Sequence, residues 1–118
     1  MSGGLHRSEL LKELRETFPE LVEAINAEMG ELGFEVDAFR RFTQQMINDG
    51  DREAVASCFA IARKYYVDGN RKVRAAIDAF FVDDLEFSET KKRSRAWAWE
   101  AFPAELKTVY ENYHGKPV

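Results

Sequence analysis

Cys58 is the only thiol in the chain, and His6 and His114 are the only imidazoles. A cysteine nucleophile needs an adjacent base, and the two histidines stand near opposite ends of the chain. Cys58 also falls on one helical face with Val55, Phe59 and Ala62, where a thiol behaves as a small hydrophobe. Transition-metal sites use spacings such as His-x-x-x-His or paired Cys, and the sequence has neither. Its glycines form neither G-x-G-x-x-G nor a P-loop. Asp49-Gly50-Asp51 has the look of a calcium-loop fragment, without the remaining ligands or the closing Glu. The residues therefore point to no catalytic set, no metal and no cofactor, and to a protein that is not an enzyme.

What remains is charge and aromatic surface. Asp83, Asp84 and Glu86 form the most concentrated acidic group, at the end of a strongly patterned helix. A catalytic role would need burial that shifts their pKa values, and the position reads as an exposed corner. Negative charge at a helix C-terminus is locally unfavourable, which marks the corner as a candidate binding feature. The net charge of −4 is uneven: residues 1–50 carry −5 and residues 51–118 carry +1. An acidic N-terminal half suits a basic protein partner and disfavours phosphate contacts.

Two basic clusters, Arg71, Lys72, Arg74 and Lys91, Lys92, Arg93, Arg95, are expected to stay in water. Trp97 and Trp99 beside the second could form a base-stacking surface. Flanking Glu89 and Glu100 and a pI near 5.3 argue against nucleic acid. Being two residues apart, the tryptophans cannot share one helical face. One is expected to plug the end of the bundle and the other to face solvent or a partner, where exposed Trp is enriched in interface hot spots.

Positioning these residues requires helices. Leu10, Leu11, Leu14 and Phe18 recur at helical spacing, with Ser8 a candidate cap. Thr17 and Glu20 have capping-box spacing around Pro19, so a second helix is expected from there, carrying Leu21, Val22, Ile25, Met29 and Leu32 and weakening at Gly30 and Gly33. A third is expected to open at Val36 and turn inward Phe39, Phe42, Met46 and Ile47 before stopping at Asn48-Asp49-Gly50. Asp51 caps a fourth with Val55, Cys58, Phe59, Ala62, Tyr65 and Tyr66 inward; Asn70 caps a fifth with Val73, Ala76, Ile77, Phe80 and Phe81 inward. Short turns make these three antiparallel neighbours. Leu85-Glu86-Phe87 is too short an alternation to change the class. Residues 88–95 read as a loop or an exposed turn, and Pro103 begins a last helix with Leu106, Val109, Tyr110 and Tyr113.

The 118 residues fit one domain, with 45% apolar residues, nine Phe, four Tyr and two Trp to build a core. The expected fold is all-α: a bundle of about six to seven amphipathic helices in antiparallel hairpins, with a short helical repeat as an alternative arrangement. Residues 1–7 and 115–118, including His6, are expected to fray, and His114 with them. The lone cysteine, the apolar runs of only a few residues and the absence of a visible secretory segment make the cytoplasm the expected compartment.

Leu14 with Phe18-Pro19-Glu20-Leu21, then Phe39-Arg40-Arg41-Phe42, the helix from Val73 to Phe81 and the following Leu85-Glu86 resemble a family of small, helical, mostly bacterial proteins of unassigned activity. Some members lie beside polymorphic toxins and are treated as immunity proteins. The resemblance spans roughly residues 10–87, and it implies a non-enzymatic protein that blocks a cognate toxin. The expected partner is a basic toxin domain, not nucleic acid and not a membrane, with the chain a monomer or weak homodimer. Glu28, Glu31, Glu35, Asp83, Asp84, Glu86, Trp97 and Trp99 are the candidate contacts. The alternatives are a scaffold that self-associates through Tyr110, Tyr113 and the tryptophans, and an enzyme with a carboxylate site.

Overall fold

A computed structural model describes residues 4–28, 30–89 and 94–115. Met29, Lys91, Lys92 and Arg93 fall outside those residues. Helices α1 (Arg7–Thr17), α2 (Val22–Asn26), α3 (Leu32–Asp49), α4 (Arg52–Asp68), α5 (Arg71–Ala76), α6 (Ala96–Ala101) and α7 (Ala104–His114) make an all-α bundle. A 3-10 turn, Pro19–Leu21, leads into α2, and α5 runs on as a π-helix over Ile77–Val82. No strand occurs among the described residues; Leu5 and Gly69 make one isolated parallel bridge.

Local sequence signals set most of these boundaries. Gly50, at φ 74°, closes α3 in the left-handed region that L side chains avoid. The Asp51 side chain accepts from Ala54 N–H, and that of Asn70 accepts from Val73 N–H, so both expected caps are in place. α4 packs against both α3 and α5, in the short-turn hairpins expected of them.

Four expectations fail for identifiable reasons. Ser8 does not cap α1; the cap lies two residues earlier, at His6, whose N–H is donated to Glu9. Thr17 ends α1 instead of capping the next turn, which begins from Phe18 without a side-chain cap. α3 opens at Leu32, a turn before Val36, because Gly30 at φ 84° reverses the chain early. Phe80 faces outward, not inward. The wider π turn brings both Ile77 and Val82, five residues apart, into the core and sets Phe81 against Phe39, ring centroids 4.8 Å apart.

Of residues 1–7, expected to fray, 1–3 lie outside the described residues, and Leu5 is docked. Leu5 N–H donates to Asp68 C=O and Leu5 C=O accepts from Asn70 N–H, each at 2.8 Å. Gly4 lies so close to this turn that a Cβ would stand 2.5 Å from the Asp68 oxygen.

The C-terminal third is held by aromatic rings. Phe59, Phe87, Trp99, Phe102 and Tyr110 form one cluster, with Phe87 centroids 4.9 Å from Phe102, 5.2 Å from Trp99 and 5.3 Å from Tyr110. Such pairs add about 0.5–1.5 kcal/mol each beyond the area they bury. Phe87 reaches the cluster from an extended segment in which Leu85 and Phe87 are buried and Glu86 and Ser88 exposed.

Candidate functional site

The acidic corner is the most distinctive surface feature. Asp83, Asp84 and Glu86 line a cleft of about 390 Å3 with Ser88, Tyr110 and His114. The π-helix delivers Asp83 and Asp84 to its rim, and α7 supplies Tyr110 and His114 from the far side.

The Glu86 backbone is clamped from α3. The Gln44 side chain accepts from Glu86 N–H at 2.9 Å and donates to its C=O at 3.2 Å, standing in for a missing strand neighbour. Arg95 secures the other end of the segment. Its guanidinium donates to Asn48 at 3.0 and 3.2 Å and to the Ser88 carbonyl at 3.1 Å. Glu89 accepts from the Arg95 and Ala96 N–H groups at 3.1 and 3.0 Å, a carboxylate at the start of α6. Arg95, expected to stay in water, is buried.

Of the three carboxylates, one is closed. His114 Nε2 lies 2.8 Å from Asp83 Oδ1 and 2.7 Å from the Asp83 carbonyl oxygen. One ring nitrogen facing two acceptors must carry a proton, so His114 is a donor here. The neighbouring Tyr113 hydroxyl donates to Asp78, which raises the phenol pKa to about 12. The last turn of α7 thus answers the negative charge that the end of the π-helix concentrates. Asp84 is exposed, with no partner among the described residues, and Glu86 is 72% exposed with one oxygen 3.6 Å from Arg95. Burial raises the Tyr110 pKa, and the Glu86 charge adds to the effect.

The other candidate carboxylates have different fates. Glu35 is not a surface contact. It is buried and takes two hydrogen bonds from Arg7, at 2.6 and 2.7 Å. Glu28 pairs with Arg41 at 3.1 Å, and Arg41 also reaches Asp37. Glu31 remains exposed at the start of α3. Trp97 and Trp99 are both half-buried, so neither is the expected exposed ring. Trp97 lies beneath the Arg52 guanidinium at 5.0 Å and donates to the Ser94 carbonyl; Trp99 belongs to the aromatic cluster. Tyr110 is buried too, which leaves Tyr113 as the exposed ring of the expected self-association surface.

Burial pushes the Cys58 thiol up to about 12, so it is not a thiolate at neutral pH. No three His, Cys, Asp or Glu side chains converge as a metal site requires among the described residues. No described helix is long and apolar enough to cross a membrane.

Sequence reasoning passed over Arg95, Gln44 and His114 as parts of this corner. Their partners lie 47, 42 and 31 residues away, and no local spacing signals such a meeting. No curated protein and no solved structure matches the chain. A family described as a domain of unknown function, DUF7674, matches residues 11–115, nearly the whole length, and this protein belongs to that family.

Proposed function

We propose that this protein is a non-enzymatic, cytoplasmic binding module that neutralises a cognate bacterial toxin by covering a basic cleft on it. The observation that carries the reading is the open pair Asp84 and Glu86 on a backbone fixed by Gln44, Arg95 and the aromatic cluster. Charge held on a rigid frame binds without paying a large ordering entropy. Exposed carboxylates also steer a cationic partner during encounter. The likeness of residues 10–87 to small helical proteins encoded beside polymorphic toxins motivates the choice of partner. Self-association through the tryptophans has less to work with, because Trp97, Trp99 and Tyr110 are already engaged within the chain.

The test is co-expression with the product of the adjacent open reading frame, followed by titration calorimetry across a salt series. A one-to-one complex is expected, weakened by salt and by roughly tenfold or more in the Asp84→Lys, Glu86→Lys double variant. No complex, or a complex indifferent to both salt and that variant, overturns the reading.

A further inference from the structure

Phe34 and Phe80 are the two phenylalanines that the described fold leaves exposed, at 56% and 37%. They sit side by side although 46 residues apart in sequence: with Glu31 and Gly33 they line a groove of about 180 Å3. Gly33 forms its floor. A Cβ there would stand 2.8 Å from two carbons of the Phe80 ring, so the ring lies directly over the bare backbone of α3. The π turn is what puts Phe80 on this side of its helix, and π turns in α-helical runs are frequent at functional positions. An engineered apolar cavity of about 150 Å3 takes a benzene molecule, so this groove has room for one branched or aromatic side chain.

The border of the groove carries Glu31, exposed and without a side-chain partner among the described residues. We infer that the Phe34–Phe80 groove is the anchor pocket for a cationic protein segment, receiving one apolar side chain while a neighbouring Lys or Arg meets Glu31. This deepens the proposed function, since it gives the basic partner a place to insert an anchor. An aromatic pocket rimmed by charge has the anatomy of an interface hot spot.

The test uses a short amphipathic Leu/Lys peptide and its Leu/Glu counterpart, titrated into the 15N-labelled full chain. The Leu/Lys peptide is expected to shift the amides of Gly33, Phe34 and Phe80 and to leave those of α6 unmoved. Phe34→Ala should weaken it roughly tenfold, as loss of a hot-spot residue does. Phe34 is exposed, so that variant should keep its thermal midpoint; Glu31→Lys should weaken the Leu/Lys peptide alone. Equal shifts with both peptides, or shifts confined to residues 83–88, overturn the inference. So does concentration-dependent broadening at the same amides without peptide, which assigns the groove to a second copy of the chain. Phe34→Ala is then added to the toxin titration. A salt-sensitive toxin complex untouched by it sinks the groove alone, whereas groove binding of the Leu/Lys peptide without any toxin complex sinks the toxin reading alone.

Discussion

The chain has two acidic regions, and they put their charge to different uses. In the N-terminal half, Glu13 binds Lys64 at 2.9 Å, Glu28 binds Arg41, Glu35 binds Arg7, and Asp37 binds both Arg40 and Arg41. These carboxylates tie α1 to α3 and α4, and the loop after α2 to α3. At the corner after the π-helix, Asp83 is answered by His114, while Asp84 and Glu86 stay open at the mouth of a cleft. The N-terminal half also keeps exposed carboxylates outside these pairs, Glu16, Glu20, Glu23 and Glu31, so net charge alone does not say which carboxylates are available. An acidic surface is defined by its unpaired carboxylates, and composition cannot count those.

Glu35→Lys breaks the comparison hardest if the roles are wrong. Placing a cation against Arg7 in a buried site should cost about 3 kcal/mol or more, the scale of a broken buried pair. Asp84→Lys should stay within about 0.5 kcal/mol, as exposed substitutions do. Urea denaturation of the two variants measures both, and equal losses would erase the distinction. Next in size is Arg95→Leu, which strips hydrogen bonds from Asn48 and the Ser88 carbonyl. A loss of about 2 kcal/mol is expected from the lost charge-assisted hydrogen bonds, together with faster proteolysis between α5 and α6.

The smallest effect concerns Glu13. Burial alone would raise its pKa, but hydrogen bonds from Lys64 and Tyr65 and the Lys64 charge outweigh it and hold the carboxyl below its ordinary value. A lowered folded-state pKa gives stability that is present above that value and lost as the pH falls through the folded pKa. Glu13→Gln should therefore cost at most about 1 kcal/mol at neutral pH. The gap should narrow as the pH falls below the ordinary carboxylate value and close once the carboxylate is protonated in both states. A gap that persists in acid would mean that Glu13 acts by packing and not by charge.

Much of the helical frame was legible because its signals are local. Asp51, Asn70 and Gly50 announce their boundaries within three residues, and Val55, Cys58, Phe59, Ala62 and Tyr65 repeat at helical spacing. The acidic corner was legible as a place but not as a site. Its distinction between Asp83 and Asp84 depends on His114, and its rigidity on Gln44 and Arg95. Phe80 was read onto the wrong face, since helical periodicity assumes a uniform turn and the π segment breaks that assumption.

The sequence by itself determined that this is an all-α chain, its α3, α4 and α5 joined by short turns, because periodicity, caps and turn residues act over a few positions. Only the tertiary structure decided which charges are spent and which remain. Arg7 meets Glu35 across 28 residues and Arg95 meets Asn48 across 47, through packing that no short window contains. The same packing set the π turn. Burying Val82 along with Ile77 while Phe81 stacks on Phe39 requires a wider turn, and that turn leaves Phe80 outside with Phe34.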